Sequence, residues 1–324
     1  MPWIENSKYK AFGFLSRNPH FSTIYMAKLK QFRSPDYQRI KLELSDGDFL
    51  NLDFQKKNDK KAIILCHGLE GDSRRTYMNT CAEYFLSKDY SVFAWNYRTC
   101  GGEMNRLVRM YHHGTVDDLD EVVKHVIAEG FEEIYLMGFS MGGALTLNYL
   151  GQIKTDEKIK AAVAISAPLS LKSSSDQLKN GFNRVYLKNF TYKISRKLKT
   201  KAKQFPDLID HSKIKLIKTF DEVDGLFTAP LHGYKDKEEY YRKASPIYVL
   251  DKIKIPTLII NAWDDPFLGK ECYPVDFAKN SKNIFLETPQ KGGHCAFPLI
   301  KTKYSWAEMR AYEFFNPEIT SKGF

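Results

Sequence analysis

The sequence predicts an α/β fold, a mostly parallel central sheet with helices on both faces, on three observations. Short uninterrupted apolar runs, as expected of strands buried on both sides, recur along the chain. Helix-like segments separate them, the alternation from which parallel sheets are built. A Gly-x-Ser-x-Gly pentapeptide, Gly138-Phe139-Ser140-Met141-Gly142, sits where one such run passes into one such helix.

The elements follow in order. Ile40, Leu42 and Leu44, then Leu50, Leu52 and Phe54, alternate around Ser45-Asp46-Gly47-Asp48 and predict an antiparallel hairpin. Ala62-Ile63-Ile64-Leu65 is the first buried strand, followed by a helix near residues 77–86 and a strand at Val92-Phe93-Ala94-Trp95. A helix over residues 116–128 carries Asp117 and Asp118 in its first turn, where the helix dipole favours them. Ile134-Tyr135-Leu136-Met137 leads into the pentapeptide and its helix, and Ala161-Ala162-Val163-Ala164-Ile165 is the next strand. Residues 170–245 break the pattern: they are basic, aromatic and helix-like, without a clear strand. The alternation resumes with Thr257-Leu258-Ile259-Ile260-Asn261 and Ile284-Phe285-Leu286, then a final helix near residues 304–315. Because the sheet needs strands from both sides of it, the interruption reads as an insertion in one domain spanning residues 1–324.

Composition excludes several classes. With 43% hydrophobic and 14% aromatic residues, the 324-residue chain can bury a full core, which argues against disorder. No basic segment followed by an apolar region opens the chain, so no secretory signal is expected, and no apolar run reaches the ~18 residues of a membrane span. Five cysteines (Cys66, Cys81, Cys100, Cys272 and Cys295), without a CxxC pair, predict free thiols in a reducing, cytoplasmic setting and no metal or cofactor. The net charge of +10 concentrates between Lys188 and Lys218, where ten Lys or Arg face two Asp, a net of +8. Phe190, Ile194 and Leu198 interleave with these charges, as in a basic amphipathic helix with a solvated face. Attraction to anionic lipid headgroups or negatively charged substrates is a second reading. No recognition module accompanies the charge, so nucleic acid is not expected as a partner.

The pentapeptide fits a nucleophile elbow, a strand-to-helix turn so tight that only glycine suits the flanking positions and the serine hydroxyl stands exposed. A serine hydroxyl needs a base within hydrogen-bond reach, and an imidazole base needs a carboxylate behind it. His294, in Lys291-Gly292-Gly293-His294 after the last strand, is the candidate base. Asp264 and Asp265 both follow the Thr257–Asn261 run, at the strand end where ligands gather in open α/β sheets. Asp265, directly before Pro266, is the expected acid, with Asp264 the alternative. An attacked ester also needs donors for its developing oxyanion. The backbone N–H groups of Met141 and of Leu69, in Cys66-His67-Gly68-Leu69-Glu70-Gly71, are the candidates; His67 is expected to shape that loop rather than move protons.

These stretches, with Asn96-Tyr97-Arg98, Phe220-Asp221-Glu222-Val223-Asp224, Thr228-Ala229-Pro230-Leu231-His232-Gly233-Tyr234 and Asp264-Asp265-Pro266-Phe267, resemble the YheT-like branch of the α/β-hydrolase superfamily over residues 18–316. The Ser, acid, His order agrees with that fold. The resemblance implies an α/β-hydrolase fold in which Ser140, Asp265 and His294 form a triad and the segment at about 170–245 is a cap. It implies hydrolysis of small-molecule carboxylic esters with short- to medium-chain acyl groups, through an acyl-enzyme. Phospholipid, thioester or amide hydrolysis would use the same residues, and a non-catalytic binding protein would need none of them together. Thr99-Cys100-Gly101-Gly102 departs from the family's usual Arg-Gly-Cys-Ser type of sequence, a change that leaves the expected triad alone and bears at most on the pocket wall.

Overall fold

Nine strands form one sheet in a computed structural model that describes residues 2–11, 13, 17–29, 32–300 and 302–320. Met1 and residues 321–324 of the expected domain lie outside the described residues. The strands are β1 (Trp3–Ile4), β2 (Gln38–Glu43), β3 (Phe49–Gln55), β4 (Lys61–Cys66), β5 (Ser91–Asn96), β6 (Glu133–Phe139), β7 (Ile159–Ile165), β8 (Thr257–Ile260) and β9 (Ile284–Glu287). Their spatial order is β1-β9-β8-β7-β6-β4-β5-β3-β2. All neighbours run parallel except β5-β3 and β3-β2, so the antiparallel part is the predicted hairpin and its junction to the sheet. Gly47, at φ 84°, makes the turn between β2 and β3, a conformation that carries no steric cost in glycine.

The continuous apolar runs are buried because helices cover both faces, and alternate residues serve opposite layers. Ala62, Ile64 and Cys66 of β4 pack with Leu119, Val122, Leu145 and Leu147, from α3 (Val116–Ala128) and α4 (Met141–Gln152). Ile63 and Leu65 pack instead with Met78, Phe85, Ala307 and Ala311, from α2 (Thr76–Ser87) and α11 (Trp306–Phe315). A one-residue slip in β4 would exchange the two layers, which fixes its register. That register pairs Cys66 with Gly138, so the loop after β4 and the turn after β6 leave the sheet side by side.

Two N-terminal elements escaped the sequence reading. The two-residue β1 pairs parallel with β9. Helix α1 (Pro19–Ile24) is capped by Asn18, whose Oδ1 accepts the His20 N–H at 2.8 Å, with Pro19 at the first helical position. Asp118 also has a larger task than complementing a dipole. Its buried carboxylate accepts from Arg98 Nε, at 3.1 and 2.9 Å, and from Nη2, at 2.7 Å, and Arg98 also reaches Asp48 at 2.9 Å and Asp46 at 2.8 Å. The hairpin turn, the loop after β5 and α3 are thereby joined through one guanidinium. Burial pushes the Asp118 carboxyl above its ordinary value even though Arg98 opposes the shift.

Between β7 and β8 the chain is helical: α5 (Leu171–Leu178), α6 (Asn183–Gln204), α7 (Phe220–Val223), α8 (Ala229–Leu231) and α9 (Lys237–Ala244), with a π-helical turn at Asp224–Thr228 joining α7 to α8. α10 (Val275–Asn280) then packs beside β9. These helices carry their own apolar cluster of Ile194, Leu198, Ile209, Ile214, Val223 and Phe227, which also takes in Met110 from the loop after β5.

Candidate active site

Ser140 stands between β6 and α4 at φ 54° and ψ −119°, a conformation that non-glycine residues avoid. Steric crowding explains the glycines around it. A Cβ on Gly138 would lie 2.2 Å from the Gly142 carbonyl oxygen, and one on Gly142 would lie 2.2 Å from that of Cys66. Strand, helix and neighbouring strand therefore meet at a distance only hydrogen atoms tolerate. Glu70, Ser166 and Cys295, each beside the site, also have positive φ, so backbone strain gathers along this rim.

The three residues expected to act together are together. His294 Nε2 lies 2.9 Å from Ser140 Oγ, and His294 Nδ1 lies 2.9 Å from both carboxylate oxygens of Asp265. With the proton held at Nδ1 by that carboxylate, Nε2 is free to accept from the serine hydroxyl. Burial works against a charged His294 imidazole, and the Asp265 carboxylate outweighs it, holding the ring's proton affinity above the ordinary imidazole value. Phe267 stacks on the ring at 4.1 Å, and its N–H donates to Asp265 Oδ1 at 2.9 Å. Asp264 points elsewhere: it accepts the Gly293 N–H at 3.0 Å and so shapes the loop that carries His294.

The two candidate oxyanion donors are the uncommitted amides of their loops. Gly68 N–H donates to Tyr77 Oη at 2.8 Å, Glu70 N–H to Tyr111 Oη at 3.1 Å, and Ser140 N–H to Ile165 O at 2.8 Å. Among the described residues the N–H groups of Leu69 and Met141 have no partner, and both residues line the cavity above Ser140. His67 is fully buried, its Nδ1 2.8 Å from Gly68 O and its Nε2 accepting the Tyr97 N–H at 3.3 Å. Burial pushes its pKa down to about 4, as suits a neutral ring that braces the loop.

A cavity of about 120 Å³ lies over Ser140 and His294. Phe190, Ile194 and Leu198 of α6, with Phe220 and Phe227, give it an apolar roof. Two lysines of the basic stretch turn inward rather than to solvent. Lys197 Nζ lies 2.9 Å from Glu70 Oε1 and 3.2 Å from Cys100 Sγ, tying α6 to the residue after Leu69. Lys201 is fully buried and donates to Asn105 O at 2.8 Å and to Leu107 O; burial pushes its pKa down to about 8. Lys188, Arg196, Lys199, Lys203, Lys213, Lys215 and Lys218 do face solvent.

Thr23 was not found by sequence reasoning. Its Oγ1 accepts the His294 N–H at 2.9 Å, and a Cβ on Gly293 would sit 2.8 Å from Pro19 O, so α1 seats the histidine loop. Asn18-Pro19, an N-cap followed by proline at the first helical position, was the available signal for that helix.

The alpha/beta hydrolase fold family matches residues 61–299. The candidate esterase YheT of Escherichia coli (strain K12) is 30% identical over 298 residues, covering 89% of this chain and 87% of its own. Phospholipase ABHD3 of Mus musculus is 30% identical over 275 residues, covering 81% of this chain and 66% of its own. The solved structure of the Pyrococcus furiosus esterase Pf2001 shares the fold at a TM-score of 0.58 and 18% identity, over 87% of this chain and 91% of that one. Sheet order, elbow and sequence relationship lead to one assignment: the chain belongs to the α/β-hydrolase superfamily, in its YheT-like branch.

Proposed function

We propose that this protein is a serine-dependent carboxylic-ester hydrolase acting on short- to medium-chain acyl esters, with Ser140 as nucleophile, His294 as general base and acid, and Asp265 as the group that orients the imidazole. The observation that carries it is the continuous chain of 2.9 Å contacts from Ser140 Oγ through His294 to Asp265. Ser140 Oγ attacks the acyl carbon while Nε2 takes its proton, and the carbonyl oxygen becomes an oxyanion facing the Leu69 and Met141 N–H groups. Collapse expels the alcohol, which leaves with the proton from Nε2. Water then attacks the acyl-enzyme with His294 again as base, and the acid and free serine are released. The helical insertion at residues 170–245 serves as the cap, its apolar roof holding the acyl chain over the nucleophile. The names of the relatives, an esterase candidate and a phospholipase, support an ester substrate. Among the described residues all five thiols are unpaired, which fits a reducing, cytoplasmic compartment.

The test is hydrolysis of p-nitrophenyl esters of increasing acyl length by wild type and Ser140→Ala. Turnover in wild type that is lost in Ser140→Ala is expected; equal turnover in both removes the nucleophile.

A second reading concerns where the substrate is met. Exposed Val185, Tyr192 and Leu216 lie among the outward cations of α6 and the segment after it, a combination suited to peripheral contact with an anionic membrane surface. No helix among the described residues is long and apolar enough to cross a membrane. Co-sedimentation with phosphatidylglycerol vesicles that weakens with salt is expected, and equal binding to phosphatidylcholine vesicles would return those lysines to ordinary surface.

A further inference from the structure

The lining of the cavity over Ser140 is not wholly apolar. Asp224, Ser175, Thr228 and Tyr241 line it alongside the aromatic and aliphatic side chains. Asp224 opens the π-helical turn at Asp224–Thr228, a kind of helical distortion that recurs at functional sites. Its carboxyl is buried and accepts from Thr228 Oγ1 at 2.8 Å, with the Tyr241 hydroxyl beside it. Among the described residues no lysine or arginine forms an ion pair with it; Lys179 and Lys237, the nearby cations, pair with Asp221. A carboxyl group has more acceptor sites than these contacts fill. Ser175 is 5% exposed, and its Oγ, next to Tyr241, makes no hydrogen bond of good geometry.

Buried polar groups without partners are uncommon in a folded protein, and each asks for an explanation. Ser175 Oγ is one, and it lines the same cavity as Ser140 together with the Asp224 carboxyl, whose acceptor sites are only partly filled; the two point to a ligand that supplies the missing bonds. A hydrocarbon chain supplies none. An anion would meet the Asp224 carboxylate. An ammonium only donates, and would leave the Ser175 proton without an acceptor. A hydroxyl both donates and accepts, so it can give its proton to Asp224 and receive one from Ser175. Burial pushes Asp224 up to about 7, with Asp221 adding to the shift and Thr228, Tyr241 and Lys237 opposing it. A carboxyl close to neutral suits a hydroxyl better than a cation.

We infer that Asp224 and Ser175, beside Tyr241, form a subsite for a hydroxyl group of the substrate, which makes this a hydrolase of hydroxylated esters rather than of plain alkyl esters. The inference rests on the ester-hydrolase reading and names the substrate class for that site. The hydroxyl could be carried by the alcohol or by the far end of the acyl chain, and the test separates the two.

Two isosteric pairs, each replacing CH3 by OH, provide the test. The acyl pair is ethyl nonanoate and ethyl 8-hydroxyoctanoate; the alcohol pair is propyl octanoate and 2-hydroxyethyl octanoate. In wild type the hydroxylated member of one pair should have the higher kcat/KM, by about tenfold or more, since a site built to hydrogen-bond a hydroxyl rejects the analogue lacking it. In Asp224→Leu and in Ser175→Ala that ratio should fall towards one. The ratio within a pair is unaffected by loss of active protein, and Ser175→Ala, which removes one oxygen, guards against a folding defect in Asp224→Leu. Ser140→Ala, which does not consume the ligand, gives the same comparison as Kd by calorimetry. Hydroxyl preference in Kd without wild-type turnover would overturn the enzyme and leave the subsite standing. No preference in either pair by either measurement, or a preference that survives in both variants, overturns the subsite.

Discussion

The rim of the sheet and the proposed cap, the helical insertion at residues 170–245, both line the cavity over Ser140, yet they are built on different terms. At the rim, strand ends deliver Ser140, His67, Asp265 and His294 to one edge, and the side chains of all four have hydrogen-bond partners. Gly138 and Gly142 leave the backbone no alternative path. In the cap, apolar side chains make the wall, and Asp224 and Ser175 are left with bonding capacity unused. On the proposed function, reaction chemistry falls to the sheet and substrate choice to the insertion. Among the contacts that cross the divide are Lys197 to Glu70, Lys201 to the Asn105 and Leu107 carbonyls, and His232 Nε2 to Met110 O at 2.9 Å.

The largest effect that could break this division is at the rim. Ser140→Ala should lower kcat by about 10⁶-fold, measured on whichever p-nitrophenyl ester wild type prefers. Asp265→Asn should cost about 10⁴-fold through the wrong imidazole tautomer. Asp264→Asn, which loses charge but keeps an acceptor for Gly293 N–H, should stay within about tenfold. Reversal of those two would move the acid to Asp264.

The pH profile sharpens the same contrast. With the neutral His294 imidazole as the proposed base, kcat/KM should rise as pH climbs through the His294 pKa, which Asp265 holds above the ordinary value. Removing that charge in Asp265→Asn should move the acid limb of the residual activity to lower pH, by about one unit or more. An unmoved limb would mean another group controls it.

Contacts between cap and rim come next. Lys197→Met removes the cation beside Glu70, one residue from the Leu69 N–H, and should lower kcat about tenfold while KM changes less. An effect on KM alone would make Lys197 part of the binding wall. The smallest effect is on stability: Lys201→Met leaves the Asn105 carbonyl without the ammonium donor, while Leu107 O keeps Asn105 Nδ2 at 3.1 Å, and should cost about 2 kcal/mol, read from denaturant unfolding. A neutral result would mean water replaces the ammonium.

Legibility in the sequence followed the same line. The elbow, the two strand-end aspartates and the histidine loop could be read because each depends on a strand and the few residues after it. Register and sterics then decide the rest locally, as the paired Cys66 and Gly138 illustrate. The cap's connections could not be read in that way. Lys197 meets Glu70 across 127 residues, and Lys201 meets Asn105 across 96, with no period or motif linking the partners. Both lysines sit in a run of outward ones and look like them in sequence. Thr23 escaped for the same reason, bonding to His294 from the opposite end of the chain. Asp224 was visible as a residue of a familiar stretch, but its place facing the cavity depends on a π-helical turn that composition does not announce.

The most direct measurement is fluorophosphonate labelling of the intact protein followed by peptide mass spectrometry. A single adduct on Ser140 in wild type, absent from Ser140→Ala and strongly slowed in His294→Ala, is the predicted result. An adduct on another residue, or ester turnover that persists with Ser140 unlabelled, would contradict the assignment of the nucleophile and the site built around it.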